Sequence, residues 1–280
     1  MAMLPRYLVD KAVADAFAED IGRGDLTTDA LVSADAKGAA RLVAREAGIV
    51  AGVDLARAAF KSLDPDMVFD LRIGDGQAVG AGTVVAQISG SARALLTGER
   101  VALNYLTHLS GIASLTGRYV RAVVGTNARI VDTRKTIPGL RVLEKYAVRM
   151  GGGFNHRFGL DDGVMIKDNH IVALGGIAPA VARARSAIGH MVKICCEVDR
   201  IDQIEEALDA GVDVLLLDNM GPATLAEAVS LVRGRAITEA SGKVSLDSVA
   251  AIAASGVEII SVGRLTHSAP ALDLALDFNG

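Results

Sequence analysis

The chain has 280 residues, a formal net charge of −4 and a half-hydrophobic composition with few aromatic residues and no tryptophan. This length suits one large domain or two smaller ones, and the charge gives no overall attraction to nucleic acid or an anionic membrane. No apolar run approaches the roughly 20 residues that a bilayer-spanning helix needs. Any binding of anions must therefore depend on a local group of basic side chains.

The first part of the chain predicts a mixture of helices and short strands. Helices are predicted at 8–19 and 53–63, and strands at 39–44 and 67–73. Gly22 and Gly24 end the first helix, and the following Asp25 favours a helix-capping interpretation over a binding-site one. Residues 92–124 then predict two helical segments, with Arg100 among the apolar positions.

From residue 128 onward, strand-like and helical runs alternate. The strand-like runs are 128–133, 164–167, 191–197, 212–217, 236–240 and 259–262, and the helical runs are 140–150, 174–187, 200–210, 222–233 and 246–255. Alternation of this kind indicates parallel βα units, and continuous apolar strands such as VDVLLL indicate burial on both faces of the sheet.

Each strand-like run ends in polar residues or glycine. The ends are Asp132-Thr133-Arg134-Lys135, Lys167-Asp168-Asn169-His170, Glu197, Asp218-Asn219, Glu239-Ala240-Ser241-Gly242 and Gly263-Arg264. In a β/α barrel, functional groups gather at the carboxyl ends of the strands. We therefore expect these separated positions to meet around one mouth.

The stretch from Asp132 to Ile171 contains an unusual number of basic residues beside apolar runs. They are Arg134, Lys135, Arg141, Lys145, Arg149, Arg157 and Lys167, joined by His156 and His170. Cations at the ends of buried strands carry a desolvation cost unless an anion lies between them. The stretch predicts a pocket for a multiply anionic small molecule, although the spacing of Arg141, Lys145 and Arg149 favours a solvated helix face for those three.

Acidic and glycine-containing strand ends would complete this pocket. Glu197 and Asp218 are suited to Mg²⁺, which takes one or two carboxylates together with substrate oxygens. Ser241-Gly242 and Gly263 are suited to a phosphate group, which the last loops of a barrel often bind through backbone N–H groups. The residues alone do not name the reaction. An isomerase or aldolase that uses Lys135 or Lys167, and a metabolite-binding barrel without turnover, both remain open.

The only cysteines are Cys195 and Cys196, which are adjacent in a predicted strand. Neighbouring strand residues point to opposite faces, so we expect no disulfide between them, and two cysteines alone do not make a structural zinc site. The N-terminal residues also have no signal-peptide core. These features predict a reducing, cytoplasmic setting.

The segment DTRKTIPGLRVLEKYAVRMGGGFNHRFGLDDGVMIKDNHI resembles the signature region of the quinolinate phosphoribosyltransferase family, also called carboxylating nicotinate-nucleotide pyrophosphorylases. EDIGRGDLTT, GERVALNYLTHLSGIAS, LLLDNM, EASG and SVGRLTHSAPALD resemble further family segments in the same order. The resemblance implies an α/β sandwich domain over residues 1–110, to which 268–280 return. It also implies an incomplete, open α/β barrel of parallel strands over 111–267.

The resemblance implies decarboxylating phosphoribosyl transfer in NAD biosynthesis. Quinolinate and phosphoribosyl pyrophosphate would give nicotinate mononucleotide, CO₂ and pyrophosphate, with Mg²⁺ as the cofactor. It also implies a homodimer in which Arg100 completes the partner's pocket, and leaves open whether dimers assemble into a hexamer. Nucleic acid and membrane are not expected partners.

The resemblance also implies roles for individual residues. Arg134, His156, Arg157, Lys167 and the partner's Arg100 would hold the two quinolinate carboxylates. Glu197 and Asp218 would bind the ribose hydroxyls and position Mg²⁺, directly or through water or substrate, and Lys135 would lie between the substrates. The substrate-binding set is Arg100, Thr133, Arg134, Lys135, His156, Arg157, Lys167, Glu197, Asp218, Ser241, Gly242, Lys243, Val262, Gly263 and Arg264. Of these, the catalytic set is Lys135, Lys167, Glu197 and Asp218.

Two positions depart from the family pattern. Cys195 stands where a glutamate usually forms a Glu-x-Glu pair with Glu197, which predicts either a dispensable carboxylate or weaker metal binding. Lys243 stands where a small or amide residue is more usual, and would either strengthen phosphate binding or be solvated. A same-fold paralogue linked to molybdenum transport is the remaining alternative within this fold, and the cationic set of Arg100, Arg134, Arg157 and Lys167 favours quinolinate.

Overall fold

The computed structural model describes residues 4–278 and divides the chain into two compact units. The first unit comprises the residues up to Gly117, Gly139–Gly152 and the chain from Ser268 onward, and the second comprises Arg118–Pro138 and Gly153–His267. The domain boundaries predicted from the sequence place 111–117 and 139–152 in the barrel domain instead. These boundaries stay a prediction.

The helices and strands alternate along most of the chain. The helices are α1 (Arg6–Asp20), α2 (Leu26–Leu31), α3 (Val53–Leu63), α4 (Ala92–Ala122), α5 (Arg141–Met150), α6 (Asp168–Leu174), α7 (Ile177–Ala187), α8 (Ile204–Asp209), α9 (Pro222–Val232), α10 (Val249–Ala254) and α11 (Arg264–His267), with a 3-10 turn at Ile201–Gln203. The strands are β1 (Lys37–Ala44), β2 (Gly48–Ile49), β3 (Val68–Leu71), β4 (Ala78–Val79), β5 (Val84–Ser91), β6 (Arg129–Val131), β7 (Val164–Ile166), β8 (Ile194–Val198), β9 (Val214–Asp218), β10 (Ile237–Ser241), β11 (Ile259–Ser261) and β12 (Leu274–Phe278).

The first unit contains an antiparallel sheet with the strand order β12-β1-β5-β3. β12 pairs with β1, so the last described strand adds an edge to the sheet built from the beginning of the chain. Helix α3 packs its apolar face into the core, where Leu55, Ala59 and Phe60 are fully buried. Asp25 accepts a hydrogen bond from the backbone N–H of Thr28 at 3.0 Å, which confirms the capping interpretation of that residue.

Helix α4 is one continuous helix of 31 residues, so the prediction of two segments over 92–124 is wrong. The helix contains glycines, and at least one of them serves close packing. A Cβ atom added to Gly111 would lie 2.0 Å from the carbonyl oxygen of Pro270, within the same unit. Glycine is required there because backbone from the C-terminal segment contacts the helix directly.

Helix α5 belongs to the first unit, where it carries several buried polar groups. His108 Nε2 lies 3.0 Å from Glu144 Oε1, and the hydroxyl of Tyr146 donates to Asp75 Oδ2 at 2.6 Å. Burial and the neighbouring Asp75 raise the pKa of Tyr146 far above its usual range. Lys145 is only 1% exposed, so the interpretation of a solvated helix face is wrong for this residue.

The second unit contains a six-stranded parallel sheet with the order β6-β11-β10-β9-β8-β7. Its strand boundaries agree with the predicted runs to within a few residues. Its central strands are buried, as their continuous apolar sequences predicted. The strand order leaves β6 and β7 at the two edges, which is the arrangement of an open α/β barrel. The predicted fold class is therefore confirmed.

Two further observations concern the helices. The sequence pattern does not predict helix α6, because its first residues are polar and directly follow a strand. Among the helices formed by residues 4–278, none has the length and apolarity needed to cross a membrane.

Candidate active site

The carboxyl ends of the parallel strands in the second unit surround a cavity of about 700 Å³. Its lining residues are Thr133, Arg134, Lys135, His156, Arg157, Met165, Lys167, Glu197, Leu216, Asp218, Asn219, Glu239, Ser241, Gly242, Lys243, Val244, Ser261, Val262, Gly263, Arg264 and His267. Six of these carry Lys or Arg side chains and three carry carboxylates. The cavity is thus suited to a ligand with several negative charges.

Fourteen of the fifteen predicted substrate-binding residues line this cavity. The exception is Arg100, which lies on an exposed face of α4 in the first unit. Its predicted role depends on a second copy of the chain and stays a prediction. The residues that line the cavity but were not in the predicted set are Met165, Leu216, Asn219, Glu239, Val244, Ser261 and His267.

Asp132, fully buried at the end of β6, positions the segment that carries His156 and Arg157. Its Oδ2 accepts from Asn155 Nδ2 at 2.6 Å, and its Oδ1 accepts from the backbone N–H of His156 at 2.9 Å. Phe154 also forms a parallel bridge with Val131 of β6. The loop is therefore held along the edge of the sheet, which brings its basic residues to the strand ends.

Arg157 and Arg134 form a cationic corner of the cavity. Burial and the positive charge of Arg134 lower the pKa of Arg157 from its usual value. Arg157 also donates through Nη1 to the carbonyl oxygen of Gly163 at 2.8 Å, which fixes its direction. Two guanidinium groups that repel each other in one cavity are stabilised by an anion between them, and a carboxylate suits the planar guanidinium group.

Lys135 is held by the last turn of the barrel. Its carbonyl oxygen accepts from Thr266 Oγ1 at 2.6 Å, and its backbone N–H donates to Thr133 Oγ1 at 3.0 Å. Its side chain passes Gly263, where an added Cβ atom would lie 3.0 Å from Lys135 Cδ. The side chain of Lys135 therefore lies among the basic residues of the cavity and also beside the loop after β11.

The acidic side of the cavity comes from neighbouring strands. Glu197 is the penultimate residue of β8 and accepts from Lys167 Nζ at 2.9 Å through Oε2. Asp218 ends β9 and accepts from Asn219 Nδ2 at 2.6 Å through Oδ2. Each carboxylate has a second oxygen for a sugar hydroxyl or a metal ion.

The turn after β10 has an unusual backbone. Gly242 has a φ of 99°, and a Cβ atom added to it would lie 2.2 Å from Asn219 Oδ1. The neighbouring Lys243 has a φ of 47°, and Asn219 has a φ of 55°. Positive φ angles in successive loops at one cavity indicate strain that is retained for a functional geometry. The turn fits the predicted phosphate-binding role, which stays a prediction.

Cys195 lies behind the cavity wall rather than in its lining. The thiol is 7% exposed, and burial followed by the charge of Glu239 raises its pKa well above the usual value. Its neighbour Cys196 is fully buried, and burial raises the pKa of that thiol to about 11. The two thiols are therefore protonated at neutral pH, and Cys195 does not replace the carboxylate that the family pattern has at this position.

The donor set near the acidic strand ends fits a weakly held Mg²⁺ ion. Within residues 4–278, no group of three or more His, Cys, Asp or Glu side chains could hold a metal ion on its own. Mg²⁺ differs from Zn²⁺ in that it commonly uses one or two carboxylates with water and substrate phosphates as its remaining ligands. Glu197 and Asp218 match that requirement.

Two family models cover nearly the whole chain. Residues 112–277 match the quinolinate phosphoribosyl transferase C-terminal domain, and residues 25–110 match the N-terminal domain. A protein of Synechocystis, named probable nicotinate-nucleotide pyrophosphorylase (carboxylating), is 48% identical over 99% of this chain and 95% of its own. A protein of the same name from Bacillus subtilis is 48% identical over 93% of this chain and 90% of its own.

Solved structures give the same result. The crystal structure of NadC from Streptococcus pyogenes has a TM-score of 0.96 with 39% identity and covers 100% of both chains. The nicotinate-nucleotide pyrophosphorylase from Francisella tularensis has a TM-score of 0.95 with 38% identity, covering 99% of this chain and 98% of its own. On the family models, the identities and the shared fold, the chain belongs to the quinolinate phosphoribosyltransferase family.

Proposed function

We propose that this protein is a decarboxylating quinolinate phosphoribosyltransferase of NAD biosynthesis. It transfers the phosphoribosyl group of phosphoribosyl pyrophosphate to quinolinate and yields nicotinate mononucleotide, CO₂ and pyrophosphate. The observation that carries the proposal is the cavity of the second unit, where six basic side chains face three carboxylates. Because the chain belongs to this family, we interpret the charge pattern as a site for a diacid and a sugar pyrophosphate.

The cationic corner is the proposed quinolinate site. Arg134 and Arg157 provide planar guanidinium groups for the two carboxylates, and Lys167 adds a third cation. Arg157 is half-buried, which strengthens these contacts because water competes less well for a partly desolvated cation. The site holds the ring so that its nitrogen faces the sugar side of the cavity.

The acidic side and the last two loops form the proposed site for phosphoribosyl pyrophosphate. Glu197 and Asp218 accept hydrogen bonds from the ribose hydroxyls. The 5′-phosphate binds the backbone N–H groups of Ser241-Gly242 and Gly263, with Lys243 and Arg264 as nearby cations. Mg²⁺, when bound near Glu197 and Asp218, supplies charge stabilisation for the pyrophosphate.

The chemistry follows from this arrangement. Cleavage at the anomeric carbon places positive charge on the sugar and negative charge on the departing pyrophosphate, which Lys135 stabilises. The cationic corner of Arg134 and Arg157 aligns the pyridine nitrogen with the anomeric carbon, which reduces the entropic part of the activation barrier. Once the nitrogen carries the sugar it is cationic, and its positive charge stabilises the electron pair that stays on C2 when the C2–carboxylate bond breaks and CO₂ departs. A proton from water then bonds to C2 and completes nicotinate mononucleotide.

We propose further that the active unit is a homodimer in which Arg100 reaches the partner's cavity. Leu96 lies one turn before Arg100 on α4 and is 40% exposed, and Leu26 and Leu31 of α2 are 87% and 79% exposed. Thr97 Oγ1 donates to Asp25 Oδ2 at 2.9 Å and thereby joins α2 to α4. An apolar surface beside a functional arginine fits a second copy of this chain. Assembly beyond the dimer is not part of the proposal.

The setting that we propose is cytoplasmic. It rests on two free, buried cysteine thiols, which suit a reducing compartment.

Product formation by the purified protein tests the proposed function. We expect nicotinate mononucleotide, CO₂ and pyrophosphate to form only when quinolinate, phosphoribosyl pyrophosphate and Mg²⁺ are all present. Lys135→Ala should reduce kcat strongly, by roughly 100-fold or more, because it removes charge stabilisation at the leaving group. Release of pyrophosphate without quinolinate, or full turnover by Lys135→Ala, would count against the proposal.

A further inference from the structure

Glu239 is a carboxylate in the centre of the parallel sheet. It lies on β10, where it pairs with Leu216 of β9 on one side and Ile259 of β11 on the other. The residue is only 3% exposed, yet it lines the cavity. An acidic side chain at such a position is largely desolvated, which is costly unless its oxygens have hydrogen-bond partners.

The two oxygens of this carboxylate have different surroundings. Oε2 lies 3.3 Å from His156 Nε2. Oε1 is buried and has no hydrogen-bond partner, and among residues 4–278 it is the one buried side-chain nitrogen or oxygen in that condition. Buried polar atoms nearly always have a partner, so an exception at a cavity wall points to a partner supplied by a ligand.

The hydrogen bonds of His156 explain why Oε2 is held. The backbone N–H of Arg157 donates to His156 Nδ1 at 2.7 Å, so this nitrogen acts as the acceptor. The ring proton then belongs on Nε2, which faces Glu239. Asp132 fixes the backbone of His156 through the 2.9 Å hydrogen bond described above. His156 thus holds one oxygen of Glu239, and the other oxygen stays without a protein partner in a residue that lines the cavity.

The chemistry of the substrates shows which of their groups can donate a hydrogen bond to Oε1. A carboxylate oxygen accepts hydrogen bonds and repels anions. At neutral pH, quinolinate offers two carboxylates and an unprotonated ring nitrogen, and none of these groups donates a hydrogen bond. The hydroxyl groups of the ribose ring do donate. The other two carboxylates of the cavity each have one oxygen already engaged, Glu197 by Lys167 and Asp218 by Asn219.

We propose that Glu239 Oε1 accepts a hydrogen bond from a ribose hydroxyl of the phosphoribosyl substrate, and that His156 is the positioning residue for this contact. The inference rests on the proposed function, because it identifies the sugar-binding group of that same site. It makes Glu239 a third carboxylate for the sugar beside Glu197 and Asp218. It also gives His156 a task besides the binding of quinolinate.

Binding of simple sugar phosphates tests this contact without catalysis. Calorimetry would compare ribose 5-phosphate with its 2-deoxy and 3-deoxy analogues, in the presence of a chelator so that no metal-bound water contributes. The wild type should bind one of the deoxy analogues roughly 10- to 100-fold more weakly than ribose 5-phosphate. Glu239→Ala should bind ribose 5-phosphate more weakly by a similar factor and should no longer distinguish that analogue.

Two further variants separate binding from folding. Glu239→Gln keeps the shape of the side chain and removes a buried charge that has a partner at only one of its two oxygens, so we expect its Tm to equal or exceed that of the wild type. Glu258→Gln is the matched control, since Glu258 is exposed beside the same strand and accepts from the backbone N–H of Thr238 at 3.0 Å. The Glu258→Gln variant should leave the discrimination between ribose 5-phosphate and its deoxy analogues unchanged.

His156→Ala tests the positioning role. This variant should weaken the discrimination between ribose 5-phosphate and the deoxy analogue, and it should add nothing further in the Glu239→Ala background. A purely structural role for the pair would lower Tm without changing this ratio. Full discrimination by His156→Ala would overturn the assignment of His156.

Kinetics give a second readout. With both substrates and Mg²⁺, Glu239→Ala should raise KM for phosphoribosyl pyrophosphate about 10-fold or more, with a smaller change for quinolinate. Unchanged binding of ribose 5-phosphate by Glu239→Ala, an effect that appears only with Mg²⁺, or equal changes in both KM values would overturn the inference. An inactive wild type would instead refute the proposed function, so the two failures are distinguishable.

Discussion

Lys167 donates through Nζ to Glu197 Oε2 at 2.9 Å and so joins the basic side of the cavity to its acidic side. Lys167 has three donors, so it can keep this contact and also hold a substrate carboxylate. We expect Lys167→Ala to lower kcat/KM for quinolinate by roughly 100-fold, because it removes a cation and leaves Glu197 uncompensated. Steady-state kinetics with each substrate varied in turn measures the change.

Lys11 provides a matched control for this substitution. It forms an exposed ion pair with Asp15 at 2.8 Å on α1, and surface pairs of this kind contribute little to stability. Lys11→Ala should therefore leave kcat/KM unchanged. Equal losses in the Lys11 and Lys167 variants would show that general charge, rather than the cavity contact, is responsible.

The turn at Gly242 allows a second prediction. Gly242→Ala would force a side-chain atom to within 2.2 Å of Asn219 Oδ1 in a backbone region that L-residues avoid. The loop must shift, and its N–H groups would no longer be directed at the phosphate. We expect KM for phosphoribosyl pyrophosphate to rise roughly 10-fold or more, with little change in KM for quinolinate.

Gly234→Ala separates the effect of backbone strain from the effect of position. Gly234 has a φ of 73°, but no heavy atom lies within 4 Å of an added Cβ atom. This variant should lose about 1 kcal/mol of folding stability and keep both KM values. If the two glycine variants behave alike in kinetics, the loop after β10 is not the phosphate site.

The proposed dimer predicts complementation between inactive variants. Arg100→Ala and Arg134→Ala should each lose most activity alone, because each removes a cation from the shared quinolinate site. When the two are unfolded together and refolded, about half of the dimers are mixed, and each mixed dimer has one cavity with all its residues intact. Activity should therefore recover to about one quarter of the wild type. No recovery, with mixed dimers detected by mass, would exclude a shared site.

The buried thiols predict a stability that falls at alkaline pH. Burial raises the pKa of Cys195 well above the ordinary thiol value, and raises the pKa of Cys196 to about 11. The folded state then binds more protons than the unfolded state, so its stability is complete below the unfolded thiol pKa and is lost as pH rises toward 11. Urea unfolding at pH 8 and pH 10 should show this fall, with a smaller slope for the Cys195→Ala/Cys196→Ala double variant. The same slope in both proteins would mean that other groups, such as the buried tyrosines, account for the effect.

The sequence was most informative about the parallel strands and about the residues that follow them. Continuous apolar runs predicted the parallel strands, and the polar residues that follow them predicted the cavity lining. These inferences succeeded because strand direction alone places the carboxyl ends at one edge of a parallel sheet. The signature region and the family resemblance then assigned chemistry to the strand ends.

The sequence was least informative where tertiary contacts decide the outcome. Lys145 resembles any lysine on a helix, and only the packing of α5 shows that it is buried. Gly111 has no distinguishing mark in the sequence, and only the packing shows that it permits close contact with Pro270. Glu239 was noted as part of a strand end, but the strand pattern cannot show that one of its oxygens lacks a partner. A charged residue within a buried strand was the available signal.

The most direct measurement compares the affinity of the protein for quinolinate with its affinity for nicotinate, which lacks the carboxylate at C2. We predict that the wild type binds quinolinate roughly 10- to 100-fold more tightly, because the second carboxylate gains charge-assisted hydrogen bonds in the cationic corner. Arg157→Ala should remove most of this preference. Equal affinity for the two acids, or an undiminished preference in Arg157→Ala, would contradict the claim that this cavity recognises a diacid.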